Sequence, residues 1–156
     1  MKILLAIDGS ACSEAAVEAV ARRPWPADSE VKIISVVEMP QFPGREPWTL
    51  PAGYFEQFES TMQDRLRATV NQAVSRIRGQ DGDQLKVMGQ VLMIGEPKEV
   101  ILEEAESWGA DLIVVGSHGV KGWKRLWLGS VSQAVATDAK CSVEIVRCSK
   151  RSDNQQ

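Results

Sequence analysis

The chain has 156 residues, 44% of them hydrophobic and 25% charged, with a formal net charge of −3. That length suits one domain with a sizeable core. The acidic balance argues against nucleic acid or an anionic membrane as main partner, and no apolar run approaches the roughly 18 residues of a membrane span.

The N-terminus, Met1 to Ile7, is apolar but stops at Asp8. It reads as a first strand over Lys2–Asp8 and not as a signal peptide. A strand apolar on both faces belongs in the middle of a parallel sheet. Asp8-Gly9-Ser10 ends it. Ala15, Ala16, Ala19 and Val20 then follow at helical spacing, so a helix begins near Ser10 and stops at Pro24-Trp25-Pro26. Val31–Val37 is the second strand. Met39–Gly53 carries Pro40, Pro43, Pro47 and Pro51, which forbid a regular helix or paired strand. This long loop is either a lid or a surface excursion anchored by Phe42 and Trp48.

Phe55, Phe58, Met62, Leu66, Val70, Ala73 and Ile77 step by three or four and predict a long amphipathic helix. Leu85–Ile94 alternates and predicts a third strand nearer the sheet edge. Pro97 opens a third helix at a tolerated position, with Val100, Ile101, Ala105 and Trp108 on its buried face. Asp111-Leu112-Ile113-Val114-Val115 is a short buried strand that runs into Gly116-Ser117-His118-Gly119. Nine residues later comes Gly129-Ser130-Val131-Ser132. There the pattern turns helical again, with Val131, Ala134, Val135 and Ala139 on one face. Cys141–Arg147 is the last strand, and 149–156 is a polar tail expected to be disordered. Cys12, Cys141 and Cys148 are odd in number and lack metal spacing, which fits a reducing cytoplasm.

The alternation β-α-β-α-β-α-β-loop-α-β predicts an α/β fold: one open parallel five-stranded sheet, order 3-2-1-4-5, with helices on both faces. Asp8 and Gly116 then meet at the switch point, where such sheets bind ligands. Gly116, Gly119 and Gly129 leave backbone N–H groups unshielded. The first-turn N–H groups of Ser130, Val131 and Ser132 add donors, as do the two serine hydroxyls. That arrangement suits a phosphate. A second reading of the same residues has Ser130 cap the helix, since Ser130-x-x-Gln133 has capping-box spacing. Asp8 likewise reads as a ligand-facing acid or as a turn acid.

These residues resemble the universal stress protein family. The resemblance rests on Ala6-Ile7-Asp8-Gly9-Ser10, Gly95-x-Pro97 and Ala110 to Gly119, and spans residues 1–148. Gly116, Gly119, Gly129 and Ser130 match Gly-x2-Gly-x9-Gly-Ser, the signature of the family's ATP-binding branch. The resemblance implies a nucleotide-binding domain over 1–148, similar to Rossmann-like adenine-nucleotide hydrolases, with ATP carried with Mg²⁺ or Mn²⁺. Ala6, Ile7 and Asp8 would meet the adenosine, and Val36 and Val115 would line the adenine slot. Gly116, Gly119, Gly129, Ser130, Val131 and Ser132 would hold ribose and phosphates. Ala6 departs from the proline that some nucleotide-binding members carry. The resemblance also implies a cytoplasmic homodimer pairing through the last strand, 142–148.

His118 lacks a nucleophile partner in sequence, so it is read as a nucleotide-site residue that orients the glycine loop or faces solvent; no catalytic residue is assigned. Lys121, Lys124 and Arg125 in the nine-residue insert are candidate phosphate neighbours or solvated charges. Trp123 and Trp127, one turn apart, pin the insert. The expected function is a nucleotide-responsive stress or signalling dimer with slow or no ATP hydrolysis. The alternatives are a nucleotide-independent interaction dimer and, ranked last, an adenylating ATP pyrophosphatase-type enzyme. The last needs a Ser-Gly-Gly-x-Asp-Ser-like loop where this chain has Asp8-Gly9-Ser10-Ala11. No G-x-G-x-x-G follows the first strand and no G-x-x-x-x-G-K-[ST] occurs, which disfavours a Rossmann dehydrogenase and a P-loop enzyme.

Overall fold

The computed structural model describes residues 1–38, 53–81, 85–92, 95–120 and 128–148. The proline-rich loop at 39–52, the insert at 121–127 and the tail at 149–156 lie outside the described residues. With them lie the readings placed on Phe42, Trp48, Lys121, Trp123, Lys124, Arg125 and Trp127. The elements are β1 (Lys2–Ala6), α1 (Ala11–Arg22), β2 (Glu30–Val36), α2 (Tyr54–Asp81), β3 (Lys86–Leu92), α3 (Pro97–Trp108), β4 (Leu112–Gly116), α4 (Ser130–Asp138) and β5 (Ser142–Val146). The sheet has the order β3-β2-β1-β4-β5, and every pairing in it is parallel.

The apolar strands explain this layout. β1 and β4 are buried on both faces, so each needs a helix layer on either side. On one face Ile3, Leu5, Ile33 and Val114 pack with Ala16, Val17 and Val20 of α1 and with Val70, Ala73 and Ile77 of α2. On the other, Leu4, Ile34, Ile113 and Val115 pack with Ile101 and Ala105 of α3 and Val135 of α4. The period-2 alternation of each strand sends its residues to these two layers in turn.

Element ends follow local chemistry. Ser10 caps α1 and accepts from the Ser13 N–H at 3.2 Å. Pro97 sits in the first turn of α3, and Gly109 ends that helix in the left-handed region at φ 69°. β1 is shorter than its apolar run: Ile7 continues the extended chain, and its N–H donates to the Ile34 carbonyl. α2 runs past Ile77 to Asp81. None of the described helices is long and apolar enough to cross a membrane.

Candidate functional site

At the carboxyl end of the sheet, β1 and β4 are neighbours, and the chain leaves each through a glycine-containing bend. Ala6 pairs in register with Ile34 on one side and Val115 on the other. Asp8, two residues beyond β1, holds the two bends together. Its Oδ1 accepts from the Ser10 N–H at 2.9 Å, and its Oδ2 accepts from the Val120 N–H at 2.8 Å. The turn reading of this acid describes its bonds, and its carboxylate stands half-exposed beside the glycine loop.

Two glycines are set by close approach. A Cβ on Gly116 would lie 2.7–2.8 Å from backbone atoms of Cys12 and Ser13. The end of β4 thus lies flush on the first turn of α1. A Cβ on Gly119 would meet Asp8 Oδ2 at 2.6 Å and break the contact that fastens the loop. The second bend docks onto the first through the Gly129 N–H, which donates to the Ser117 carbonyl at 2.8 Å. The glycine clusters therefore form one structure on one side of the molecule.

The start of α4 differs from the capping-box reading. Gly129 is the N-cap, no side chain caps it, and Ser130 is the first helical residue, exposed. The first backbone bond of the helix runs from the Gln133 N–H to the Gly129 carbonyl at 2.9 Å. The N–H groups of Ser130, Val131 and Ser132 thus have no acceptor within the helix. Ser132 was expected to offer its hydroxyl outward. It is buried instead, and its Oγ lies 3.0 Å from the Ser117 carbonyl and 2.9 Å from that of Gly129. Its hydroxyl latches the bends together, because a buried O–H needs an acceptor.

The remaining expected residues divide by face. Ala6 and Val115 belong to the layer with α3 and α4, and Val36, two residues beyond Ile34, points to that same side. Ala6 and Val36 are half-buried and Val115 is fully buried. The Ile7 side chain lies in the opposite layer, and its carbonyl accepts from the Ser35 hydroxyl at 2.7 Å. His118 is half-buried, with Nδ1 3.1 Å from Ser117 Oγ.

Sequence reasoning missed Ser117. It is buried and central: its N–H donates to the Val146 carbonyl at 2.8 Å, and its own carbonyl receives Gly129 and Ser132. Its place directly after a strand, between two glycines, was the only signal available. Ser10 also does more than cap, since its hydroxyl donates to the His118 carbonyl at 3.2 Å. The cysteines were read as unpaired thiols. Instead, Cys12 in α1 is bonded to Cys148 beyond β5, and Cys141 is free. The odd count hid a pair because 136 residues separate the two positions.

The comparisons with known proteins bear on the whole of this frame. Universal stress protein YxiE of Bacillus subtilis is 30% identical over 152 residues, covering 94% of this chain and 98% of its own. The solved structure of MJ0577, a universal stress protein of Methanocaldococcus jannaschii, superposes with a TM-score of 0.68 at 28% identity, covering 94% of each chain. A universal stress protein of Arabidopsis thaliana solved with AMP bound has the same fold, with a TM-score of 0.66 at 17% identity, covering 96% of this chain and 93% of that one. The profile of the universal stress protein family matches residues 1–147, so the chain belongs to the universal stress protein family.

Proposed function

We propose that this protein binds ATP alongside the two joined glycine bends, at the start of α4, and acts as a nucleotide-responsive stress or signalling dimer. The observation that carries the reading is the closure of the Gly129 bend onto Ser117, beside Asp8 and at the uncapped start of α4. An uncapped helix start presents N–H groups and a partial positive charge, and a phosphate supplies the acceptors and the negative charge they lack. AMP bound by the Arabidopsis relative supports an adenine nucleotide as the class of ligand.

In this reading the bare backbone at Gly119 and the N–H groups of Ser130, Val131 and Ser132 hold the phosphates, Gly129 lets the helix start come close without a side chain in the way, and the Ser130 hydroxyl adds a donor. Gly116 shapes the wall. Ala6, Val36 and Val115 share one face and line the adenine side. Ile7 contributes through its position in the chain, and His118 orients the loop. Among the described residues no group of three or more His, Cys, Asp or Glu converges. Mg²⁺ or Mn²⁺ would ride on phosphate oxygens and water, as divalent ions at nucleotides often do. Its charge offsets that of the triphosphate. No residue is assigned as a base for water, so hydrolysis is slow or absent.

The last strand supports the dimer. Among the described residues β5 pairs with β4 alone, which leaves its outer edge open, and Val143 and Ile145 are half-buried beside it. Such an edge invites a second copy across a two-fold axis. A cytoplasmic location belongs to the same proposal.

The deciding experiment is to denature purified protein and identify any adenine nucleotide released, then to titrate the emptied protein with Mg-ATP in a calorimeter. Binding to the native state alone stabilises by about 2.7 kcal/mol at a ligand concentration of 100 Kd. No released nucleotide, together with no change in melting temperature at millimolar Mg-ATP, refutes the reading in favour of a nucleotide-independent dimer.

A further inference from the structure

Three chain segments converge under the glycine bends: the first turn of α1, the end of β4, and the residues just beyond β5. Gly116 lies against the Cys12 backbone. The Ser117 N–H holds Val146, and the Ser117 hydroxyl donates to Cys12 Sγ at 3.6 Å. Cys148 completes the junction, bonded to Cys12 with a Cα–Cα distance of 4.5 Å, inside the range a disulfide spans. We propose that Cys12 and Cys148 are an oxidisable dithiol that fastens the end of β5 to the first turn of α1 and so sets how firmly the glycine bends hold their ligand. The ligand half of this proposal rests on the nucleotide reading above; the cross-link half does not.

The placement suits the chemistry. Cys148 is half-buried and within reach of a small oxidant, whereas Cys12 is sealed at 4% exposure. Cys12 is the second residue of α1, and its sulfur accepts from the Ser117 hydroxyl. A hydroperoxide oxidises the Cys148 thiolate to a sulfenic acid and leaves as water or alcohol. The Cys12 thiolate then attacks that sulfur, the S–O bond breaks, and the hydroxide takes up a proton as water. Two thiols and one hydrogen peroxide yield one disulfide and two waters; an organic hydroperoxide yields one disulfide, one alcohol and one water. A small thiol or a dithiol protein reverses the step by exchange. Such a pair cycles without difficulty in a reducing compartment. Cys141 stands at the other end of β5 from Cys148, and burial pushes its thiol pKa up.

The test uses the full-length chain, fully reduced and then treated with hydrogen peroxide. Alkylation, non-reducing electrophoresis and peptide mass mapping follow. The expected product is a monomeric chain with a Cys12–Cys148 linked peptide and Cys141 still alkylated; Cys141→Ser gives the same link. The oxidised chain should melt roughly 5–15 °C above the reduced one, because the link closes a long loop of the unfolded chain. Cys148→Ser should remove that difference. Mg-ATP affinity should differ at least about threefold between the two redox states and be insensitive to peroxide in Cys148→Ser. A chain linked to a second copy through Cys148, or no Cys12–Cys148 peptide, or equal melting temperatures, overturns the cross-link. A linked, stabilised chain whose Mg-ATP affinity does not change overturns the coupling. A linked, stabilised chain that binds no nucleotide in either state supports the cross-link and counts against the nucleotide reading instead.

Discussion

Two helices begin at the same edge of the sheet, α1 just beyond β1 and Gly9, α4 just beyond Gly129 after the insert that follows β4, and they are finished differently. At α1 the protein closes its own helix start. Gly9 turns the chain at φ +77°, Ser10 caps the Ser13 N–H, the Asp8 carboxylate takes the Ser10 N–H, and the bare face of Gly116 lies on top. At α4 the cap is a glycine without a side chain, and the one hydroxyl that turns inward, Ser132, is spent on the Ser117 and Gly129 carbonyls. The first start has a side-chain cap and a strand end packed against it. The second has no side-chain cap, and the N–H groups of Ser130, Val131 and Ser132 have no acceptor within the helix. The glycine signature thus marks two different joints, a strand end packed on a helix backbone at Gly116 and a hydrogen-bonded, uncapped helix start at Gly129, which a spacing pattern alone does not separate.

Substituting those two glycines breaks the comparison most directly. Gly116→Val puts carbon within 2.7–2.8 Å of main-chain atoms of Cys12 and Ser13, which cannot step aside without moving α1. The expected cost is about 3 kcal/mol, at the upper end of what overpacking a tight site causes, read as a lower urea midpoint with an unchanged slope. At Gly129 the nearest atom to an added Cβ is the Ser117 carbonyl oxygen at 3.3 Å, and the backbone φ of −70° suits any residue. Gly129→Val must push the Ser117 carbonyl and His118 Cα aside by a few tenths of an ångström, so it should keep the fold at a cost of about 1–2 kcal/mol, less than Gly116→Val, while Mg-ATP affinity falls at least about a hundredfold, close to 2.7 kcal/mol. Equal loss of stability in the two variants, with binding intact in Gly129→Val, would mean that both glycines are packing residues and that α4 is not a ligand site.

The sheet was legible because its strands are short continuous apolar runs separated by helical periodicities. Strand order follows from crossover handedness and from the less buried pattern around Gly89. The meeting of Asp8 with the glycine loop was legible for the same reason, since topology alone brings the ends of β1 and β4 together. What sequence could not show depends on atoms rather than on periods. Ser130-x-x-Gln133 has the spacing of a capping box, yet Gly129 must lie against Ser117, which moves the helix start by one residue and leaves Ser130 outside the cap. Ser132 looked like a donor to a ligand because a helix start exposes most of its side chains; here a carbonyl of the other bend lies within its reach. The link between Cys12 and Cys148 follows from where α1 and β5 come to rest, and nothing local to either cysteine announces it.

Finer tests sharpen the contrast between the closed and open helix starts. Ser10→Ala removes the cap on the Ser13 N–H and the bond to the His118 carbonyl. The expected loss is about 1 kcal/mol, seen as a melting temperature lower by about 2–4 °C, with Mg-ATP affinity changed less than about threefold. The smallest effect on stability belongs to Ser130→Ala. Ser130 is exposed and caps nothing, so removing its hydroxyl should shift stability by less than about 0.5 kcal/mol. If that hydroxyl donates to a phosphate, the same change should weaken Mg-ATP binding by about three- to tenfold, the size of one modest hydrogen bond. The pair of serines then behaves as a crossed set: one acts on melting and leaves calorimetric affinity nearly alone, the other does the reverse. A Ser130→Ala chain that melts several degrees lower yet binds Mg-ATP unchanged would place Ser130 with the cap residues and would close the second helix start as firmly as the first.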